Sequence, residues 1–239
     1  MYKMVGIDEH TLCCLHFDKS VTKDEIENKW VGFGELSLDE GKFEKACKFG
    51  AKGSSGIYTD AFDVFTKPEW TIDFWVKYLD LSTANGNNVI FSNSNYNIGN
   101  HPCDFSVGIY GGFISLICYD TNGYTQFDGN NKLVSLPLNE FCHIAIVKQN
   151  TKLYLFKNGK QEYSANVKKQ ICVNDGKYAM LGDWHFLSGY VRYLIAAIDE
   201  FRISDVARWT SDFTPPTTPY SKRLKLYLDE NNAVWGCKE

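Results

Sequence analysis

No stretch of the 239 residues approaches the roughly 20 consecutive apolar positions that a membrane-spanning helix requires, and the opening MYKMVGIDEH has no apolar signal core. The expectation is a chain that does not insert into membranes and is made as a soluble cytoplasmic product, or is a fragment of a larger one. Positive charge is also scarce: 25 Lys and Arg stand against 29 Asp and Glu, for a formal net charge of -4, and no basic stripe interrupts the sequence. A binder that neutralises nucleic-acid phosphates is excluded on that ground. Cysteine is present, at 8 residues, but without CxxC or Cys/His metal spacing: Cys13 and Cys14 are adjacent and Cys47, Cys103, Cys118, Cys142, Cys172 and Cys237 are scattered. The thiols are expected to act as small buried hydrophobes in a chain synthesised under reducing conditions. There is no Asn-x-Ser/Thr acceptor, and no helical periodicity longer than about two turns.

Strand formers fill the place of the missing helices. Aromatics make up 15% of the chain, with 16 Phe and 14 Tyr. The most informative run is 141–161, FCHIAIVKQNTKLYLFKNGKQ, where period-two apolar stretches alternate with polar breaks and end in Asn158-Gly159, as an antiparallel meander does. Both faces of its first strand are apolar, which places that strand mid-sheet and covered on each side. Residues 70–78 alternate likewise, with Trp70, Ile72, Phe74, Val76 and Tyr78 on the core face. Further strands are expected over 12–17, 43–49, 57–59, 89–92, 105–110, 113–119, 178–181 and 195–203, with a tight hairpin at Gly111-Gly112. The stretch 18–38 reads as a long excursion that returns Trp30 and Phe33 to the core, and 205–209 as a single helical turn capped by Ser204 or Asp205. Thr214 to Pro219 should leave as an extended linker. The pattern predicts an all-β, two-sheet antiparallel sandwich over 1–219 and a hairpin-like tail over 220–239.

Four stretches carry a resemblance. FTKPEWTIDFWVK (65–77), the meander at 140–160, the run from Gly182 to IDEFRIS (198–204), and DVARWTSDFTPP (205–216) together resemble the concanavalin A-like jelly rolls of the laminin-G-like type, over about 12–219. Phe141 and Cys142 replace a usual Trp and His of that family at packing positions. The resemblance implies a jelly-roll sandwich. Such modules occur in phage tail and adhesion proteins, bacterial surface proteins and matrix proteins, and the tail SKRLKLYLDENNAVWG looks most like a phage virion or tail-associated chain, with the bacterial cytoplasm or surface as the alternative.

The fold's hydrolytic relatives carry Glu-x-Asp-x-x-Glu on one strand. The nearest lookalike, Glu35 to Glu40, lacks the middle acid, and Asp39-Glu40 beside Gly41 reads as a turn, so no enzyme activity is expected. His143 could act as a base oriented by Asp199, but its apolar strand favours a hydrogen-bonded core histidine. His16, His101 and His185 show no ligand spacing, so zinc is not expected. The resemblance implies a structural calcium joining the end of the first strand to the last, here Asp18 and Asp199 with carbonyls of the 50–56 turn. The alternative is a salt-bridged strand in which Glu200 faces Arg202. Sugar binding needs aromatic platforms beside Asn, Asp or His, and three loops supply them: Tyr96, Asn97, His101 and Asp104; Tyr119, Asp120, Asn122 and Tyr124; Asp183, Trp184 and His185. The function expected is a non-catalytic, lectin-like adhesion module that binds a glycan or cell-surface polysaccharide. The rival is a structural module that contacts only other virion or surface proteins.

Overall fold

The computed structural model describes residues 6–50, 55–79, 88–94, 105–119, 125–128, 131–167, 178–183, 194–221, 225–228 and 234–238. Two antiparallel sheets face each other. The first contains β1 (Thr11–Leu15), β3 (Leu36–Glu40), β4 (Lys45–Phe49), β6 (Glu69–Tyr78), β12 (Phe141–Gln149), β13 (Lys152–Lys157), β14 (Lys160–Asn166) and β16 (Ala196–Ser204). Its order is β14-β13-β12-β6-β16-β4-β3, and β1 also pairs with β16. The second contains β2 (Val31–Phe33), β5 (Gly56–Asp60), β7 (Asn88–Ser94), β8 (Phe105–Tyr110), β9 (Phe113–Tyr119), β10 (Thr125–Asp128), β11 (Val134–Ser135) and β15 (Tyr178–Leu181). Here the order is β10-β9-β8-β7-β15-β5-β2, with β11 beside β9. Among the described residues, β17 (Lys225–Leu228) and β18 (Val234–Lys238) pair with each other as a two-stranded sheet.

β6 and β12 lie side by side at the centre of the first sheet, as their unbroken apolar character requires. Trp70, Ile72, Phe74, Val76 and Tyr78 all point into the core between the sheets, where Phe65, Trp70 and Phe105 form one aromatic cluster. Thr71, Asp73 and Trp75 face the other way and are buried as well. Their cover is the segment that follows β16, residues 205–221, which crosses the outer face of the first sheet as a strap. Ala207, Trp209 and Phe213 of the strap pack on Ala145, Val147, Tyr154 and Phe156. The sandwich therefore has a third, partial layer on one side.

Both expected hairpin turns form. Gly111 and Gly112 have φ of 58° and 82°, and Asn158 and Gly159 have φ of 49° and 76°, the left-handed pairs that two-residue turns demand. Gly159 answers a second constraint, since a Cβ there would stand 1.9 Å from the Phe213 carbonyl oxygen of the strap.

The helical turn expected over 205–209 is absent. Thr71 on β6 donates its hydroxyl to the Val206 carbonyl (2.7 Å) and accepts the Arg208 N–H (3.0 Å), so tertiary bonds occupy the backbone groups a helix would have paired. Among the described residues the one helical element is a 3-10 turn at Asp63–Thr66. The stretch 31–40 forms two strands, β2 and β3, in place of a pure excursion. β3 is an edge strand, exposed except at half-buried Leu36. Trp30 is buried in the core, whereas Phe33 is only partly covered. Cys13, Cys14, Cys47 and Cys142 are free and buried.

Candidate functional site

Under the strap lies a buried charged network. Arg202 on β16 grips Asp73 on β6 with two parallel bonds, Nε to Oδ1 and Nη2 to Oδ2, each 3.0 Å, and donates Nη1 to the Gly6 carbonyl at 2.8 Å. The Tyr220 hydroxyl makes a short hydrogen bond to Asp73 Oδ2, and its ring lies against the guanidinium, 3.9 Å from centroid to carbon. Burial works to raise the Asp73 pKa, but the Arg202 charge overcomes it and holds the carboxyl well below the usual range. Every member of this group serves to fasten the strap and the N-terminal segment onto the sheet.

His143 on β12 sits beside this network, walled by the rings of Trp75, Trp209 and Phe213. The acid near it is Asp73, 3.5 Å from Nε2, and not Asp199. That separation is beyond a good hydrogen bond, and neither ring nitrogen has a hydrogen-bond partner among the described residues. It is a core histidine held by aromatic packing. Burial lowers its pKa below 6.5 despite the pull of Asp73. A folded-state pKa below the unfolded one costs stability as pH falls, because the unfolded chain takes up the proton first. His143→Leu is therefore expected to gain on the parent protein below about pH 6.5, by up to about 1.4 kcal/mol per pH unit. Urea unfolding at pH 7.5 and pH 5 reads this gap, and an unchanged gap would mean that the ring is protonated in the folded state.

A different cluster forms where β16 changes partner. β4 pairs with Ala197 and Ile198, β1 pairs with Phe201 to Ser204, and Asp199 and Glu200 fall in the gap between them. A bulge occupies the same place: Asp199 stands opposite Trp75 and Arg202 opposite Asp73, one residue too many on β16. Glu200 takes φ of 50° there. The extra residue puts the two acids of 199–200 outward together, and Phe201 returns to the core. Into the gap come the end of β1 and the start of β4. His16 Nδ1 lies 2.7 Å from Glu200 Oε1; Glu200 Oε2 accepts the Tyr220 N–H at 2.7 Å. Phe43 N–H donates to Asp199 Oδ2 at 2.9 Å and Lys45 N–H to Asp18 Oδ1 at 3.2 Å. Ligating atoms of His16, Asp18 and Glu200 lie within 4.8 Å of one another. An open cavity of about 190 Å³, lined by Phe17, Asp18, Lys19, Ser20, Lys23 and Glu25, adjoins them. Burial pushes the Asp199 pKa up to about 8, and the charges of Glu200 and Asp18 push in the same direction.

Asp18 and Asp199 are thus brought to one turn, as a shared cation would need. Of the 50–56 turn, residues 51–54 lie outside the described residues, while Gly50 follows the far end of β4, roughly 15 Å along a five-residue strand from Lys45; the described neighbour of Asp18 is the imidazole of His16. Glu200 does not face Arg202 as a strand pair either, because the bulge sends it to His16 while Arg202 goes to Asp73.

Of the sugar-binding candidates, Tyr96, Asn97, His101, Asp104, Asp120, Asn122, Tyr124, Trp184 and His185 lie outside the described residues. Tyr119 ends β9, with its backbone opposite Thr125. Asp183 follows β15 and is buried at 1% exposure, its carbonyl accepting the Ser92 hydroxyl at 3.3 Å. Register decides which groups share a rim. Phe105 pairs with Asn93 and with Cys118, and Tyr178 with Ser94, so the end of β7, the start of β8, the end of β9 and the start of β10 lie at one end of the second sheet. β15 starts at that end and runs away from it, which carries Asp183 toward the opposite end. The first two loops leave from one rim; the third leaves from the other.

Asp39 and Glu40 are successive residues of exposed β3, and Asp39 pairs with Lys48 at 3.1 Å. Neighbours on a strand face opposite sides.

Two facing antiparallel sheets define a sandwich of the jelly-roll class. A model of the Laminin_G_3 family, the concanavalin A-like lectin/glucanases superfamily, matches residues 51–212, and the chain belongs to that superfamily. Among solved structures it is similar to the binding domain of botulinum neurotoxin serotype D (17% identity, TM-score 0.61, covering 83% of this chain and 49% of that one). It is similar also to the binding domain of botulinum neurotoxin DC in complex with rat synaptotagmin II (15% identity, TM-score 0.63, 83% and 49%), and to the binding domain of Paraclostridial Mosquitocidal Protein 1 (15%, TM-score 0.60, 83% and 49%). The chain spans about half the length of these structures, and at such identities the likeness is one of fold. No curated protein matches it in sequence.

Proposed function

We propose that this chain is a non-catalytic, lectin-like binding module that attaches a larger surface or virion assembly to a glycan or cell-surface polysaccharide. The observation that carries the reading is the rim of the second sheet at which β7, β8, β9 and β10 end and start. From it leave the two segments that hold Tyr96, Asn97, His101 and Asp104, and Asp120, Asn122 and Tyr124, with Tyr119 at the strand end. Aromatic and amide residues on loops fixed by a rigid sheet are the parts from which sugar sites are made. Membership in a superfamily of lectins and glucanases supports the reading, and so do the binding domains among the fold's structural relatives. Asp39 and Glu40, on opposite faces of an edge strand, cannot supply the paired carboxyls of a glycosidase, which favours binding over hydrolysis.

A panel of glycans and cell-wall polysaccharides, run with calcium and with chelator, tests it. Saturable binding to a related set of sugars is expected, weakened at least tenfold by Tyr96→Ala and by Tyr124→Ala with the thermal midpoint unchanged. Trp184→Ala, on a loop leaving the opposite rim, should have the smaller effect. Absence of binding to every sugar would replace this reading with the protein-binding virion module.

A further inference from the structure

We propose that an aromatic ridge on the outer face of the second sheet, formed by Phe33, Tyr58 and Tyr178, extends the sugar site, and that its ligand is a single soluble chain of neutral, hydroxyl-rich sugar units. A lone terminal sugar would leave the ridge unused, and a crystalline polysaccharide surface would not fit it. The inference rests on the sugar-binding reading above and names the class of glycan.

Register places the three rings on one face. Ile57, Ala179 and Leu181 point into the core, so alternation turns Tyr58, Tyr178 and Met180 outward. Val31 stands opposite Tyr58 and Phe33 opposite Gly56, which puts both on that outer face. The rings follow one another diagonally across β2, β5 and β15. Centroids of Phe33 and Tyr58 are 6.3 Å apart, and those of Tyr58 and Tyr178 are 5.3 Å apart. All three are half-buried, and Val31 beside them is 47% exposed. Gly56 makes room for the first ring: a Cβ there would stand 3.0 Å from Phe33 Cζ, so the ring lies against bare backbone.

The ridge leads to the rim. Tyr178 is the first residue of β15 and stands opposite Ser94, the last residue of β7. The segment that holds Tyr96 and Asn97 follows Ser94 in the chain. A glycan held at that rim therefore has an aromatic track leading away from it toward the edge strand β2.

Ring orientation and charge select the ligand. Phe33 and Tyr58 are tilted by 47° and Tyr58 and Tyr178 by 79°. A crystalline surface demands coplanar rings, whereas a free chain turns from unit to unit and can meet each ring in its own plane. Aromatic faces take the C–H faces of sugars, and tyrosine hydroxyls add a hydrogen-bonding edge. Asp60, exposed opposite Tyr178, is the one charged residue in β2, β5 and β15. An acidic glycan would meet its repulsion and find no cation on these strands. Size argues against a protein. Fully buried aromatics hide roughly 150–250 Å² each, and three half-buried ones with a valine fall well short of the roughly 800 Å² that each partner covers in a stable complex.

The test is calorimetric titration of the full chain with soluble cello-, chito- and manno-oligosaccharides, from disaccharide to hexasaccharide. In the series that binds, the hexasaccharide is expected to bind at least tenfold more tightly than the disaccharide. Tyr58→Ala should bring the hexasaccharide down to the affinity of the disaccharide, and Tyr96→Ala should weaken both. Equal affinity at every length, or a gain from length that survives Tyr58→Ala, would overturn the ridge and leave the rim reading in place. A gain that Tyr58→Ala removes and Tyr96→Ala does not touch would keep the ridge and overturn the rim. Absence of binding in every series would overturn both. Tighter binding of polygalacturonate oligomers, or retention on crystalline cellulose or chitin powder, would overturn the class of glycan. Dimerisation in sedimentation equilibrium that Tyr58→Ala abolishes would give the ridge to a second copy of this chain instead. Should Tyr58→Ala fail to fold by circular dichroism, Tyr58→Leu, which keeps apolar bulk and removes the ring face, serves in its place with the same loss expected.

Discussion

Asp73→Ala is expected to lower the unfolding free energy by about 3–5 kcal/mol, the usual cost of removing one partner from a buried ion pair. The reason lies in what it strands. Arg202 is fully buried, and without Asp73 its described hydrogen bond is the one to the Gly6 carbonyl. Tyr220 loses its acceptor at the same time. Replacing both partners with apolar residues, Asp73→Leu with Arg202→Met, should recover much of the loss, because a well-packed apolar pair carries no desolvation cost. Urea denaturation of the parent, the single variant and the double variant gives the comparison. A loss under about 1 kcal/mol for Asp73→Ala would show that water reaches the guanidinium and that the pair does not anchor the strap.

Trp209→Ala should be of similar size, about 3–5 kcal/mol, as for other buried large-to-small aromatic changes. Trp209 is 7% exposed and stacks on Phe213 with ring centroids 4.0 Å apart and planes 8° from parallel. It also forms a wall of the His143 cage and lies 5.8 Å from the Arg202 guanidinium. Truncation opens a cavity above both, and the strap has few other apolar anchors: Ala207 and Phe213 complete its share of that cluster. The same denaturation series measures it. A loss confined to about 1 kcal/mol would mean that Phe213 alone can close the layer.

What the chain discloses in advance follows from how local each signal is. The strands of 70–78 and 141–161 were legible because alternation is a short-range property, and the glycine turns because φ above zero is demanded at the position itself. β3 went unread although Leu36 and Leu38 alternate with Ser37 and Asp39, because that short period runs into Asp39-Glu40-Gly41, which reads as a turn, and of its residues Leu36 alone is packed on the core. The helical turn over 205–209 was misread because the competing partner, Thr71, is 135 positions away from Val206. His16 and Glu200 escaped notice as partners for the same reason. One trace was available. In β16 the core residues Ile198, Phe201 and Ile203 are spaced by three and then two, and a step of three within a strand is the mark of a bulge. That irregular step announces that Asp199 and Glu200 share a face. No comparable trace marks Asp73 as the partner of Arg202, since either could have met solvent.

The N–H of Ile7 donates to the Ser221 carbonyl at 3.0 Å, and Arg202 reaches Gly6 from the same side. The polypeptide thus comes into the sandwich and goes out of it at one spot. Joined by a short linker across that spot, the segment 6–221 could be reopened at a surface turn such as Gly111-Gly112 and still close the same two sheets. It could also be spliced into a loop of an unrelated protein without prising that loop apart, since its two attachment points are one hydrogen bond from touching.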